Sequence, residues 1–171
     1  MEALKSLIRN IPDYPKPGIL FYDITTLLRN GDGFRRAVDA VVAPYRTVPI
    51  DFVVGIESRG FILGAAVADR LGIGFIPVRK PGKLPGQTIS VSYELEYGVD
   101  ALEIHHDAVA SGEKVLIVDD LLATGGTAQA AVSLLKESGA QVVGLAFLIE
   151  LDELGGRSKL EGEQVSSVLR Y

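Results

Sequence analysis

Residues Val115 to Thr127 read VLIVDDLLATGGT, and the rest of the chain can be interpreted outward from them. Apolar residues run directly into two adjacent carboxylates, Asp119 and Asp120, and two adjacent glycines flanked by threonines follow. The short apolar run predicts a buried strand that ends before the carboxylates, and the glycines predict a turn into a helix. Such a loop at a helix N-terminus lets backbone N–H groups converge, which is a common way to bind an anion.

The same alternation of apolar runs and helical patterns extends through the middle and C-terminal parts of the chain. Near-continuous apolar strands separated by helices predict an α/β fold with a central, mainly parallel sheet flanked by helices. Strands are predicted at residues 51–56, 74–78, 114–118 and 142–149, and helices at residues 60–72 and about 127–138.

Ligands of such open sheets bind outside the carboxyl ends of the strands. The segments that follow the predicted strands are polar, charged or glycine-rich: ESRG (57–60), RKPGK (79–83) and DDLLATGGT (119–127). In the last of these, Thr124 and Thr127 add hydroxyl donors to the anion site, while the two carboxylates can accept from vicinal hydroxyls. Phosphate at one end and a diol at the other describe a ribose 5-phosphate, although a plain strand-to-helix turn is the alternative.

Composition narrows the function further. A chain of 171 residues predicts one domain, and the absence of cysteine excludes a disulfide framework and a cysteine nucleophile and fits a cytoplasmic location. The formal net charge of −5 disfavours nucleic-acid binding, which rests on a basic surface. No apolar run approaches the length of a membrane helix, so neither a nucleic acid nor a membrane is expected as a partner.

Two regions interrupt the alternation. Residues 10–25, with three prolines, are expected to lie as an irregular segment over the sheet. Residues 80–104 begin as a loop and continue as a hairpin with a turn at Gly98. His105 and His106 have no third ligand nearby in sequence, and LGGRSKLEG (154–162) is interpreted as an exposed loop.

VLIVDDLLATGGT resembles the phosphoribosyl pyrophosphate (PRPP) motif of type I phosphoribosyltransferases, and the resemblance covers essentially the whole chain. IPDYPKPGILFYDIT, GIESRGFILG, RKPGKLPG and SYELEYG occur in the order typical of the members that use adenine. The resemblance implies one domain over residues 1–171, with an N-terminal hood at about 10–30 and a flexible hairpin lid at about 80–104.

The resemblance also implies roles for individual residues. In the family the paired acids hold the ribose hydroxyls, and a phosphate loop, here residues 123–127, holds the 5-phosphate. The residues expected to bind PRPP or AMP are therefore Asp119, Asp120, Ala123, Thr124, Gly125, Gly126 and Thr127. The residues expected at the pyrophosphate are Glu57, Ser58, Arg59, Arg79 and Lys80. In the family the peptide bond that matches Glu57–Ser58 is often cis, and in related enzymes the charges that match Arg79 and Lys80 come from the neighbouring subunit.

The remaining implied roles concern the base. Glu96 matches the carboxyl group that exchanges a proton with N7 of adenine, and it is expected to be catalytic together with Arg59; Tyr97 lies beside it in the lid. Leu20 and Phe21 match the residues that hold adenine, whereas Tyr22 stands where many relatives have a basic residue.

The implied reaction is the transfer of 5-phosphoribose from PRPP to adenine, giving AMP and pyrophosphate. Mg²⁺ is the implied cofactor, held mainly by PRPP and water rather than by direct protein ligands. A homodimer is implied by the family alone. Two alternatives stay open: a phosphoribosyltransferase for hypoxanthine, guanine or xanthine, and a regulator that senses PRPP.

Overall fold

The computed structural model describes residues 1–94 and 98–171. Its α-helices are α1 (Glu2–Lys5), α2 (Thr25–Arg29), α3 (Gly31–Val42), α4 (Arg59–Leu71) and α5 (Gly126–Glu137). Short 3₁₀ helices span Ala43–Tyr45, Asp152–Leu154 and Gly156–Leu160. The strands are β1 (Arg9–Pro12), β2 (Leu20–Asp23), β3 (Phe52–Ile56), β4 (Gly74–Val78), β5 (Thr88–Glu94), β6 (Val99–His105), β7 (Lys114–Leu122), β8 (Gln141–Glu150) and β9 (Val165–Arg170).

The central sheet has the strand order β4-β3-β7-β8-β9, and every neighbouring pair in it is parallel. The predicted α/β class with a parallel sheet flanked by helices is therefore confirmed. The four predicted strands all form, but β9 has no counterpart in the prediction. Its sequence, VSSVLR, is mostly half-buried at the sheet edge, so it lacks the continuous apolar run that marked the inner strands.

Strand β7 runs further than predicted. It ends at Leu122, so Asp119 and Asp120 lie inside the strand rather than after it. Pairing with β8 continues as far as Leu122 opposite Glu150, and this supplies the backbone hydrogen bonds that extend the strand past the apolar run. The prediction that the strand ended at residue 118 was wrong because charged side chains were taken as the end of a buried element.

The two faces of the sheet are covered by different elements. Val115 and Ile117 of β7 pack in a core with α5 and the β5–β6 hairpin, whereas Leu116 and Val118 pack in a second core with α3 and α4. The alternation follows from the period of two along a strand. Because α4 and α5 each begin just after a strand of this sheet, their N-termini lie at the edge where the strands end.

The N-terminal segment is more regular than predicted. Strands β1 and β2 form an antiparallel pair with Arg9 opposite Asp23, so the expectation of a wholly irregular segment was wrong. Prolines are accepted here because a two-stranded ribbon leaves the outward N–H positions unpaired. The ribbon is joined to the body through the buried side chains of Ile8 and Ile24.

Asp23 holds this ribbon together. Its carboxylate accepts from the Thr25 amide at 2.9 Å and from Arg9 Nε at 2.9 Å. These two interactions, led by the bond from the Thr25 amide, lower the pKa of Asp23 to about 2.

We expect Asp23→Asn to lower the melting temperature at pH 7, because the ionised carboxylate is favoured more strongly in the folded than in the unfolded chain. A folded pKa of about 2 lies below the ordinary value of about 3.9, so the stabilisation is present above pH 4 and is lost as the pH falls through 2. Melting curves of both proteins between pH 2 and 7 should therefore converge at low pH. A difference in melting temperature that stayed constant across this range would contradict the assignment.

The predicted hairpin forms as β5 and β6, which pair from Thr88 opposite His105 to Glu94 opposite Val99. It packs against α5 through Ile89, Val91 and Tyr93. The predicted lid residues Glu96 and Tyr97 lie outside the described residues. Among the helices that are described, none combines the length and apolarity needed to cross a bilayer.

Candidate functional site

A cleft of about 400 Å³ opens at the carboxyl ends of β3 and β7. The chain passes from β3 outward to β4 and then returns past β3 to β7 on its other side, so the strand order reverses between β3 and β7. A ligand site is expected at such a switch point. The cleft brings together most of the residues predicted to bind PRPP. It is lined by Ile56, Glu57, Ser58, Arg59, Lys80, Asp119, Asp120, Leu121, Leu122 and residues 123–128.

The phosphate loop, residues 123–127, forms one end of the cleft and leads into α5. Gly125 is the N-cap of α5 and has a φ of 81°, a conformation that side chains rarely adopt. Within residues 1–94 and 98–171, the N–H groups of Thr124, Gly125, Gly126 and Thr127 donate to no protein acceptor. Together with the positive end of the helix dipole, these N–H groups suit an anion.

The paired acids lie on the floor of the cleft. Asp120 is buried and pairs with Arg59, whose Nε lies 2.8 Å from Asp120 Oδ2. Asp119 Oδ1 accepts from the Asp120 amide at 2.9 Å. Burial and the adjacent charge of Asp120 raise the pKa of Asp119 well above its ordinary value. Burial also raises the pKa of Asp120, against the opposing charge of Arg59.

Gly60 lets the start of α4 approach these acids closely. A Cβ atom on Gly60 would lie 2.7 Å from Asp119 Oδ1 and 3.1 Å from the Val118 carbonyl oxygen. Any side chain at this position would therefore displace the Asp119 carboxylate. A glycine is thus needed in the first turn of α4 because of the site, and not only for packing.

Glu57 and Ser58 follow β3, and the peptide bond between them is cis, as expected from the resemblance. The Glu57 carboxylate accepts from Lys83 Nζ at 2.6 Å, from the Lys80 amide at 2.9 Å and from Arg79 Nε at 3.2 Å. Burial alone would raise the pKa of Glu57, but these hydrogen bonds outweigh it and lower the pKa. Lys83 was not among the predicted site residues, although RKPGK contains it.

Lys80 reaches the cleft of its own chain. Its ammonium group pairs with Asp100 and donates to the Tyr93 hydroxyl at 3.1 Å. Burial opposes the charged form, yet the hydrogen bond to Asp100 prevails and the pKa of Lys80 is raised. The Tyr93 hydroxyl also lies 3.4 Å from Thr127 Oγ1, so the hairpin is linked to the phosphate loop. Sequence reasoning missed Tyr93 and Asp100, because alternation marked them only as hairpin residues.

Of the other predicted residues, Arg79, Leu20 and Phe21 belong to the described part of the chain, and none of the three lines the cleft. Arg79 lies behind Glu57, with its guanidinium 5.8 Å from the Phe61 ring. Phe21 lies 5.4 Å from the Arg59 guanidinium, whereas Leu20 lines a separate hollow with Leu154 and other residues.

Tyr22 lines that hollow and packs against Tyr171, with the ring centroids 4.1 Å apart and the rings tilted by 40°. Leu20 and Phe21 point to opposite sides of β2 because strand residues alternate. The hollow is lined by Gly18, Ile19, Leu20, Tyr22, Leu151, Glu153, Leu154 and Tyr171.

The interpretation of residues 154–162 as an exposed loop was only partly right, because seven of these nine residues are exposed but the other two are not. Gly156 and Leu160 are buried, and a 3₁₀ helix joins them. Arg157 donates to the buried carboxylate of Glu150, with Nε 2.9 Å from Oε1. Glycines and charged residues usually indicate a solvated loop, and the contacts that bury this segment come from residues distant in the chain.

Taken together, the cleft has three chemical parts. N–H groups that have no partner among the described residues suit a phosphate at one end, and the carboxylates on the floor can accept from hydroxyl groups. The cations Arg59 and Lys80, which also line the cleft, suit further negative charge. The arrangement fits a sugar that carries a phosphate at one end and a second anionic group at the other.

Comparison with known proteins agrees with this geometry. The family model described as phosphoribosyl transferase domain matches residues 34–167. The adenine phosphoribosyltransferase of Desulfitobacterium hafniense is 60% identical over 173 residues, which cover 100% of both chains.

Solved structures of adenine phosphoribosyltransferases are also similar to this chain. The adenine phosphoribosyltransferase of Rhodothermus marinus is 52% identical with a TM-score of 0.95, over 99% of this chain and 97% of the other. That of Saccharomyces cerevisiae, complexed with adenine and an imino-altritol bisphosphate, is 44% identical with a TM-score of 0.93, over 98% and 97%. The chain therefore belongs to the phosphoribosyltransferases and, within them, to the adenine phosphoribosyltransferases, a family of purine salvage enzymes.

Proposed function

We propose that the cleft between β3 and β7 transfers 5-phosphoribose from PRPP to N9 of adenine, giving AMP and pyrophosphate. The observation that carries the proposal is the set of N–H groups at Thr124–Thr127, which donate to no acceptor within residues 1–94 and 98–171 and share one cleft with the acids Asp119 and Asp120. In this assignment the N–H groups and Thr124 and Thr127 hold the 5-phosphate. The acids accept from the two ribose hydroxyls, and this orientation presents C1 to the base.

The pyrophosphate end of the cleft is assigned to Glu57, Ser58, Arg59 and Lys80, which line it, with Arg79 behind them. Arg59 and Lys80 supply positive charge, while the Ser58 backbone can donate to an oxygen of pyrophosphate. Since Glu57 is held by Lys83, the Lys80 amide and Arg79, its role is to fix these cations rather than to meet the anion. Arg59 must also leave or share Asp120 to reach the pyrophosphate.

The chemical step breaks the bond between C1 and the pyrophosphate oxygen, and the electron pair leaves with the pyrophosphate. Charge resembling an oxocarbenium ion develops on C1, as in glycosyl transfer generally. The N9 lone pair of adenine then forms the new bond, and the ring proton of adenine must depart. Glu96 is the proposed acceptor at N7, and Tyr97 beside it belongs to the lid that excludes water.

Adenine is assigned to the space between the hood and the cleft. The Phe21 ring, placed 5.4 Å from the Arg59 guanidinium, can stack on the base close to C1. Leu20 lies on the other side of β2, in the hollow beside Leu154. Its contribution to base binding is therefore assigned to its backbone.

Mg²⁺ is the proposed cofactor. Among the described residues no cluster of three or more His, Cys, Asp or Glu side chains could hold a metal ion. A cation there would be bound mainly by phosphate oxygens and water, and the carboxylates of Asp119 and Asp120, which line the cleft, would help to hold it. When bound, Mg²⁺ neutralises the negative charge of the leaving pyrophosphate.

The hood at about 10–30, the lid at about 80–104 and the organisation of residues 1–171 as one domain are part of the proposal. A homodimer in the cytoplasm is proposed on the resemblance and on the absence of cysteine. Light scattering of the purified protein measures its mass, and the mass of a monomer would contradict the homodimer. Fluorescent labelling of the chain in cells tests the cytoplasmic location.

The test of the function is a panel of bases with PRPP and Mg²⁺, in which pyrophosphate release is followed. We expect kcat/KM for adenine to exceed that for hypoxanthine, guanine and xanthine by at least ~10⁴-fold, because a site built to pair with one set of polar groups rejects analogues that leave them unpaired. Chelation of Mg²⁺ should abolish the release. Similar rates with two bases would contradict the assignment of the acceptor, and PRPP binding without turnover would favour a PRPP sensor.

A further inference from the structure

Two glycines from distant parts of the chain meet backbone to backbone behind the phosphate loop. A Cβ atom on Gly125 would lie 2.3 Å from the Gly156 carbonyl oxygen. In the reverse direction, a Cβ on Gly156 would lie 2.1 Å from the Ala123 carbonyl oxygen and 2.9 Å from the Gly125 amide nitrogen. Since these neighbours are backbone atoms, no change of rotamer can relieve the overlap. The loop and the 3₁₀ helix at Gly156–Leu160 are therefore in direct contact.

The 3₁₀ helix is itself held firmly. Arg157 Nη2 lies 2.5 Å from Glu150 Oε2, and Arg157 Nη1 donates to the Val165 carbonyl at 2.9 Å. Glu150 is 3% exposed and also accepts from Ser167. At the other end of the helix, Leu160 is buried in the core beside α5. Because both ends are fixed to the sheet and core, the helix cannot easily move away from the loop.

We propose that Gly156 and Arg157 are positioning residues for the 5-phosphate: they hold the loop so that its N–H groups converge on one anion. This inference rests on the proposed function of the cleft. The loop connects β7 to α5, and its own N–H groups donate to no described residue, so its shape depends on what lies behind it. Hydrogen-bond strength falls steeply with distance and angle, so a small displacement of the loop weakens several bonds to the phosphate together.

Gly156→Ala provides the test. We expect its affinity for ribose 5-phosphate, measured by calorimetry, to fall by about tenfold or more, which corresponds to about 1.4 kcal/mol. Affinity for pyrophosphate, which is assigned to the other end of the cleft, should stay within about twofold of the unmodified chain, a change below 0.5 kcal/mol. In steady state the KM for PRPP should rise more than kcat falls, because the lost contact is with a part of PRPP that does not react.

Gly31→Ala is the matched control. A Cβ on Gly31, in the first turn of α3, would have no neighbour within 4 Å. This variant should bind both ligands as the unmodified chain does. Arg157→Lys is the second variant, and it replaces Gly156→Ala if that variant does not fold. It retains the charge opposite Glu150 but loses the planar guanidinium group that donates to both Glu150 and the Val165 carbonyl. It should likewise weaken the binding of ribose 5-phosphate but not that of pyrophosphate.

The outcomes separate the two proposals. If Gly156→Ala, or Arg157→Lys in its place, lowers the melting temperature while ribose 5-phosphate binds with unchanged affinity, the role is merely structural and the inference is overturned. An equal loss of pyrophosphate affinity would also overturn it. If the unmodified chain does not bind ribose 5-phosphate, the proposed function of the cleft fails instead.

Discussion

Asp119→Asn combined with Asp120→Asn is expected to weaken PRPP binding by at least ~100-fold. Each carboxylate is assigned to accept a hydrogen bond from a ribose hydroxyl, and hydrogen bonds to charged groups are worth about 1.5–3 kcal/mol each. Asparagine has nearly the same shape, so the loss comes from charge rather than from a cavity. The Arg59 guanidinium, which lies 2.8 Å from Asp120 Oδ2, would also lose its buried partner.

Calorimetry with PRPP measures this loss directly. Asp69→Asn is a suitable control, because Asp69 is an exposed acid near the far end of α4 and does not line the cleft. Normal affinity in the double variant would show that the acids do not hold the ribose. A loss of equal size in the control would instead indicate a general effect of charge on PRPP binding.

The raised pKa of Asp119 also predicts an effect on the stability of the folded chain. The pKa of Asp119 is raised by burial and by the charge of Asp120, so ionisation is less favourable in the folded than in the unfolded chain. Its contribution to stability is therefore greatest below the unfolded pKa of about 3.9 and is lost as the pH rises through the folded pKa. Asp119→Asn alone should consequently raise the melting temperature of the ligand-free protein at pH 7 while weakening PRPP binding. A lower melting temperature would contradict this account.

Glu96→Gln is expected to reduce kcat by about 100-fold, the lower range for a general acid–base group, with little change in PRPP affinity. The amide retains the size of the side chain but cannot take the proton from adenine N7. Glu94→Gln is the matched control, because Glu94 is an exposed glutamate at the end of β5, only two positions earlier in the sequence. Steady-state kinetics with both substrates distinguishes the two variants. Unchanged turnover in Glu96→Gln would remove this residue from the acid–base role.

The central strands could be predicted because the residue pattern that indicates each of them lies within the strand itself. Val115 to Val118, for example, form an uninterrupted apolar run, and such a run indicates a strand buried on both faces. Strand β9 carries no such pattern, since its serines are accepted only because it pairs with β8 at the sheet edge. The extension of β7 through the two acids depends on β8 in the same way.

In the candidate site, too, residues that are neighbours in sequence could be predicted, whereas those brought together from distant segments could not. The acids and the glycines of VLIVDDLLATGGT are neighbours in sequence, so their chemistry could be interpreted as a ribose and phosphate site without a structure. Tyr93 and Asp100 could not be assigned, because their link to Lys80 joins the hairpin to a segment after β4. Lys83 belongs to RKPGK, but nothing in the sequence distinguishes it from other lysines. Only the structure shows that its Nζ lies 2.6 Å from Glu57 Oε1.

Short-range patterns of residue type thus established the parallel sheet, the edge at which ligands bind and the sugar phosphate that fits there. The folded chain was required to pair Arg59 with Asp120, to bring Lys80 to the cleft and to place Gly156 behind the phosphate loop. The periodicity of apolar residues indicates which face of a helix or strand is buried, but it does not indicate which distant residues pack against that face. Gly156 illustrates the difference, because its need for a bare backbone arises only from contact with Ala123 and Gly125, some 30 residues earlier in the chain.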